Sequence, residues 1–126
     1  MKTENEISYL VRGAAFKVHN RLGPGLLESV YEKAMAYELK QLGLDIECQL
    51  GIPMNYYNVR FDVGFRLDIL VEELVIIEIK STETLMDVHH KQLHTYLKLM
   101  KKKLGMLINF NTASIDKSII RIVNNL

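Results

Sequence analysis

The stretch Phe65-Arg66-Leu67-Asp68-Ile69-Leu70-Val71-Glu72-Glu73-Leu74-Val75-Ile76-Ile77-Glu78-Ile79-Lys80 decides the fold. Two runs of branched and aromatic apolar residues, 65–71 and 75–80, flank a short polar break, which is the pattern of a β-hairpin. Side chains alternate across a strand, so odd and even positions face opposite ways. Leu67, Ile69 and Val71 are odd and apolar, and so are Val75, Ile77 and Ile79. If both sets share the main core face, the numbers of facing residues must sum to an even value. A two-residue Glu72-Glu73 turn gives an odd sum, so a three-residue loop or a bulge is expected. That register sends Asp68, Glu78 and Lys80 to the other face, with Asp68 almost directly across from Glu78.

Two carboxylates at cross-strand distance repel each other unless a positive charge lies between them. A hard divalent cation such as Mg²⁺ (or Mn²⁺) meets that need, because it takes oxygen ligands and keeps several waters. Lys80 lies two residues beyond Glu78 on the same face, placed to orient a water or to stabilise developing negative charge. Asp68, Glu78 and Lys80 are therefore the catalytic candidates, for metal-assisted hydrolysis of a phosphodiester. A structural ion-pair cluster is the competing account, since Glu-x-Lys at a strand end is common. A charge amid Phe65, Leu67, Ile69 and Leu70 nevertheless needs a reason.

Upstream, Ile7, Leu10, Val11, Ala14, Ala15, Val18 and Leu22 recur at helical spacing and are stopped by Gly23-Pro24-Gly25. A second helix is expected over residues 26–42, closed by Gly43. Residues 45–55 read as a strand broken or bent near Gly51 and Pro53, and residues 56–62 as a turn and short strand. A third helix is expected over residues 87–103, stopped by Gly105, with Leu93, Leu97 and Met100 as its seam. Residues 106–110 and 119–123 are the last strands. The order α-α-β-β-β-α-β-β implies an α/β fold with a mixed sheet and helices on its faces.

The 126 residues, 48% hydrophobic and 25% charged, suit one globular domain over residues 1–126. No apolar run is long enough to span a bilayer, and the N-terminus lacks the order of a signal peptide. A single cysteine, Cys48, fits a reducing compartment and is expected to be a small buried thiol. A cytoplasmic location without membrane association follows. The net charge of +1 gives no overall basic signature. Residues 88–115, however, hold Lys91, Lys98, Lys101, Lys102 and Lys103 with no Asp or Glu. That stripe could attract phosphates, or could be a solvated face whose lysines complement the helix dipole.

At this point the residues resemble a known pattern. Asp68 followed by Glu78-Ile79-Lys80 is similar to the PD-(D/E)xK nuclease signature, with Arg66 or Leu67 at its relaxed proline position. Gln92-Leu93-His94-Thr95-Tyr96 resembles the Gln-x-x-x-Tyr helix motif of the RecB-like branch. Gly25-Leu26-Leu27-Glu28-Ser29-Val30-Tyr31 matches the motif of the GxxExxY family, and His19 with Leu22-Gly23-Pro24-Gly25 looks like its lead-in. The resemblance runs from about Glu6 to Phe110.

It implies a restriction-endonuclease-like sheet and a divalent-metal-dependent nuclease acting on DNA, with RNA the second choice. It further implies that Glu28, Asp68, Glu78 and the Ile79 carbonyl bind the metal while Lys80 positions the attacking water. Gln92, Tyr96 and Tyr31 would support the site or contact DNA, and Lys91 and Lys98 would draw in its backbone. A homodimer or a protein partner could supply specificity. Each residue also has a plainer role: an acid in a helix's first turn for Glu28, packing for the tyrosines, backbone capping for Gln92. His90 and His94 are four apart but lack a third ligand. The rival functions are a catalytically silent nucleic-acid-binding or regulatory module on a nuclease fold, and a protein-interaction domain with an ion-pair network.

Overall fold

The computed structural model describes residues 1–126. Its elements are α1 (Glu4–Leu22), α2 (Glu28–Gln41), β1 (Ile46–Tyr56), β2 (Val59–Val71), β3 (Val75–Lys80), α3 (Asp87–Met100), β4 (Leu104–Asn109) and β5 (Ile119–Val123), with a 3₁₀ turn at Ile115–Ser118. The strands form one sheet in the order β1-β2-β3-β4-β5. Only β3 and β4 run parallel, and α3 is the crossover that a parallel pair requires.

The sheet separates two cores. On one face, α1 contributes Ile7, Val11, Ala15 and Val18, and α2 contributes Tyr31, Met35 and Leu39, against Ile69, Val71, Val75, Ile77, Ile79, Met106 and Ile108. On the other, Leu93 and Leu97 of α3 cover Leu67, Leu70, Ile76 and Leu107. β3 and β4 are covered on both faces, and every residue from Val75 to Ile79 and from Leu104 to Asn109 is buried. Burying one such aliphatic side chain is worth roughly 1.5–3 kcal/mol, so the middle strands are the stable frame on which the rest is hung.

Four expectations need correction. β1 runs unbroken through Gly51 and Pro53, with only a register shift between Ile52 and Met54; Pro53 is tolerated because β1 is an edge strand. β2 is one long strand from Val59, joined to β1 by a turn at Tyr57 and Asn58. The third helix ends at Met100 because Lys101 turns left-handed (φ 56°), so Lys101, Lys102 and Lys103 leave the helix that carries Lys91 and Lys98. Gly105 is not a helix stop but a β4 residue, and a Cβ there would lie 2.9 Å from carbons of the Leu93 side chain. α1 also starts earlier than its apolar pattern, at Glu4, under a capping box made by Thr3 and Glu6. No helix is long and apolar enough to cross a membrane.

Candidate active site

The β2–β3 hairpin has the register that parity required. Val71 faces Val75, Leu70 faces Ile76 and Ile69 faces Ile77, across a three-residue loop in which Glu72 and Glu73 are left-handed. The next pair in that register is Asp68 and Glu78, and there the backbone ladder stops. Instead, the Asp68 N–H donates to Glu78 Oε1 (3.3 Å) and the Ile79 N–H donates to Asp68 Oδ2 (2.8 Å). The carboxylates stand where main-chain bonds would have been. The N–H and C=O of one strand residue point to the same neighbouring strand, so the Ile79 carbonyl also opens toward this gap. Breaking the ladder breaks the alternation: Leu67 packs with Leu70 and α3, not with Ile69 and Val71 on the α1–α2 side. The shared-face expectation for Leu67 is thereby corrected.

The gap is electrostatically strained. Glu78 is only 5% exposed. Burial first, and then the charge of Asp68, push its carboxyl up to about 8, against the pull of Lys80. Lys80 closes β3, half-buried, one residue beyond Ile79. On the α3 side, Tyr96 stacks on Phe65 with ring centroids 4.5 Å apart. Burial and then the Glu78 and Asp68 charges raise its phenol. Gln92, one turn earlier, is exposed, as are Lys91 and Lys98.

On the opposite side, the α1–α2 loop is locked to the end of β3. Gly23 (φ 69°) and Gly25 (φ 95°) take backbone angles that favour glycine. Tyr31 is buried, stacked on Phe110 at 4.6 Å, and its hydroxyl donates to the Gly23 carbonyl (2.6 Å) while accepting from the Leu26 N–H (3.1 Å). The Leu26 carbonyl accepts from Ser81 Oγ (2.7 Å), and the Ser81 N–H donates to Glu28 Oε2 (3.3 Å). The spacing of Gly25, Glu28 and Tyr31 thus describes a brace. His19 is buried and its Nε2 donates to the Thr112 carbonyl (2.7 Å), tying α1 to the loop after β4. Buried Asn109 holds the other side of the Lys80 exit, bonding Thr82 through both N–H and C=O.

The structure brings Asp68, Glu78, Ile79 and Lys80 together, with Glu28 at the strand end and Tyr96 alongside. It does not gather three His, Cys, Asp or Glu side chains tightly enough to hold an ion by themselves. His89 is a helix cap, accepting from the Met86 N–H, and His90 bonds the Met86 carbonyl. The groove of about 530 Å³ between α1 and α2 is lined by neither Asp68 nor Glu78. Cys48 is exposed on the edge strand, contrary to the expectation of a buried thiol. Partial burial of its sulfur, with Glu32 and Asp68 nearby, still pushes the thiol upward.

Two neighbours of Asp68 escape a sequence reading. Gln49 Nε2 donates to Asp68 Oδ1 (3.3 Å) and to Glu32 Oε1 (2.7 Å). Glu32 is half-buried, and burial together with Asp68 raises its carboxyl. Its one signal was its spacing, four residues after Glu28 on the same helix face.

The mixed sheet with α1 and α2 on one face and α3 on the other is the restriction-endonuclease-like fold. A family model described as the PD-(D/E)XK nuclease superfamily matches residues 5–122, and the chain belongs to that superfamily. No curated protein and no solved structure matches the chain. The donor set fits the divalent cation such nucleases use: the oxygens are hard, and a buried acid beside a second carboxylate has too little positive charge around it. An ion that keeps several of its waters needs few protein ligands.

Proposed function

We propose that this chain is a divalent-metal-dependent nuclease of the GxxExxY family, in the RecB-like branch, cleaving DNA in preference to RNA. The observation that carries the proposal is the Asp68–Glu78 pair at the broken ladder, with Lys80 at the strand end. Asp68, Glu78 and the Ile79 carbonyl would hold Mg²⁺ or Mn²⁺, with Glu28 as the additional acidic ligand. When bound, the ion would supply a Lewis acid for the scissile phosphate and lower the pKa of an attacking water.

The chain's own groups perform the remaining work. The Ile79 N–H fixes one Asp68 oxygen and Gln49 donates to the other, which leaves a lone pair on each for a cation. Glu78, whose carboxyl burial and Asp68 hold high, would be ionised beside a bound cation. Lys80 hydrogen-bonds the water on one side and meets negative charge growing on the phosphate. Tyr96 and Gln92 line the α3 side, where exposed Lys91 and Lys98 attract the phosphate backbone without reading sequence.

Calorimetric titration of Mn²⁺ into the wild type and Asp68→Ala, with a DNA-cleavage assay on the same samples, tests the reading. Binding lost in the variant, with cutting by the wild type alone, is the expected result. Metal binding without cutting of DNA or RNA would point to a silent binding module, and no binding by the wild type would overturn the mechanism.

A further inference from the structure

We propose that Gln49, anchored by Glu32, is the positioning residue that sets the orientation of the Asp68 carboxylate; its bearing on metal binding rests on the function proposed above. In β1, Cys48 faces Ile69 and Leu50 faces Leu67, so Gln49 stands level with Asp68. Both residues drop out of the ladder at that level. Gln49 does so by adopting φ 51°, the left-handed region that a glutamine rarely enters inside a strand. Such outliers persist only where surrounding contacts impose them, and they cluster at functional sites.

Here the contacts are visible. The Gln49 amide has two N–H donors, and ionised Asp and Glu only accept, so its NH₂ must face both acids. One N–H meets Glu32 Oε1 at 2.7 Å and the other meets Asp68 Oδ1 at 3.3 Å. The shorter of the two, to Glu32, is the anchor. With the Ile79 N–H on Oδ2, each Asp68 oxygen then receives one donor, which leaves the carboxylate a single orientation and a free lone pair on each oxygen. Gln49 and Glu32 belong to β1 and α2, so the arrangement ties the edge strand and the brace helix to the broken ladder.

The test is Gln49→Gly, which removes the amide and accepts the left-handed backbone. In the metal-free variant, amide exchange at Ile79 should accelerate about tenfold, because its acceptor now swings. Exchange at Val75 and Ile77 should be unchanged, and the melting temperature unchanged or higher. A merely structural role for Gln49 would move the melting temperature instead. Mn²⁺ affinity should fall by about 10- to 100-fold, the usual consequence of losing a residue that orients a ligand. Gln49→Asn tolerates the same backbone but is one methylene short, and it should reproduce the Ile79 effect. It decides the matter if the glycine variant does not fold. Glu32→Ala should weaken Mn²⁺ binding in the wild type and add nothing in the Gln49→Gly background. Unchanged Ile79 exchange in both Gln49 variants would overturn the proposal. So would a Glu32→Ala loss that persists without Gln49, because Glu32 would then be a ligand. Faster Ile79 exchange in a protein whose wild type binds no Mn²⁺ would support the positioning role and sink the metal reading alone.

Discussion

The two ends of the β2–β3 hairpin are built from the same kind of sequence and do opposite things. At the turn end, Ile69, Leu70 and Val71 pair with Ile77, Ile76 and Val75, all of them 0–5% exposed and apolar on both faces. One residue further, the ladder is replaced by two carboxylates, one of them as buried as the leucines. The turn end contributes stability; the site end gives some of it up, holding two acids close together with Glu78 out of water. The precision of the site comes from its neighbours, because rigid apolar pairs immediately next to it fix where the carboxylates can go.

The largest effect should come from removing the charge at the site end without changing its shape. Glu78→Gln is expected to lower metal-dependent cleavage by about a thousandfold or more. The same substitution should raise the stability of the metal-free protein at pH 8.5 and above, read by urea unfolding. A parallel fall in both quantities would erase the contrast between the two ends.

Ile77→Ala, one residue away, should do the reverse. It empties a fully buried position and should cost about 2–5 kcal/mol in urea unfolding. Where the variant is still folded, Mn²⁺ affinity should change far less than in Glu78→Gln. A loss of metal binding as large as the loss in Glu78→Gln would show that the two ends are not separable.

Acidity sharpens the contrast further. The Glu78 carboxyl is raised to about 8 in the folded protein, against about 4.3 for an unfolded glutamate. The folded state therefore holds the proton longer, and metal-free stability should be greatest at the acid end of that window. It should fall as pH rises between those values, by up to a few kcal/mol. Saturating Mn²⁺ should flatten or invert the slope, since the ion favours the ionised carboxylate. Thermal unfolding from pH 5 to 9, with and without Mn²⁺, measures this, and a metal-free stability that rises with pH would contradict the strained acid.

What the sequence revealed follows the same division. Parity alone placed Asp68 opposite Glu78, because β2–β3 pairing is regular up to that level. It misplaced Leu67, because alternation ends where the ladder does, and nothing local announces that. Gln49 was invisible since its aim depends on a left-handed backbone inside a strand. Glu32 looked like any helix acid until β1 was laid beside it. Lys101–Lys103 continued a helical composition past a chain reversal that their side chains do not encode. The α1 start was written plainly in Thr3-Glu4-Asn5-Glu6, a capping signature that the apolar periodicity masked.

The smallest effect concerns the brace. Tyr31→Phe keeps the ring stacked on Phe110 but deletes the hydroxyl that bridges the Gly23 carbonyl and the Leu26 N–H. Losing those bonds at a partly buried site should cost about 1 kcal/mol in urea unfolding. The functional consequence should be indirect. With the loop freed, the Leu26 carbonyl no longer holds Ser81 Oγ steadily, and Glu28 loses its fixed approach to the Ser81 N–H. Mn²⁺ affinity should then drop by several-fold, less than on loss of Asp68, and amide exchange at Ser81 should quicken. If Ser81 exchange and metal affinity both hold while stability falls, Tyr31 serves the fold alone. The spacing of Gly25, Glu28 and Tyr31 would then owe nothing to the site it borders.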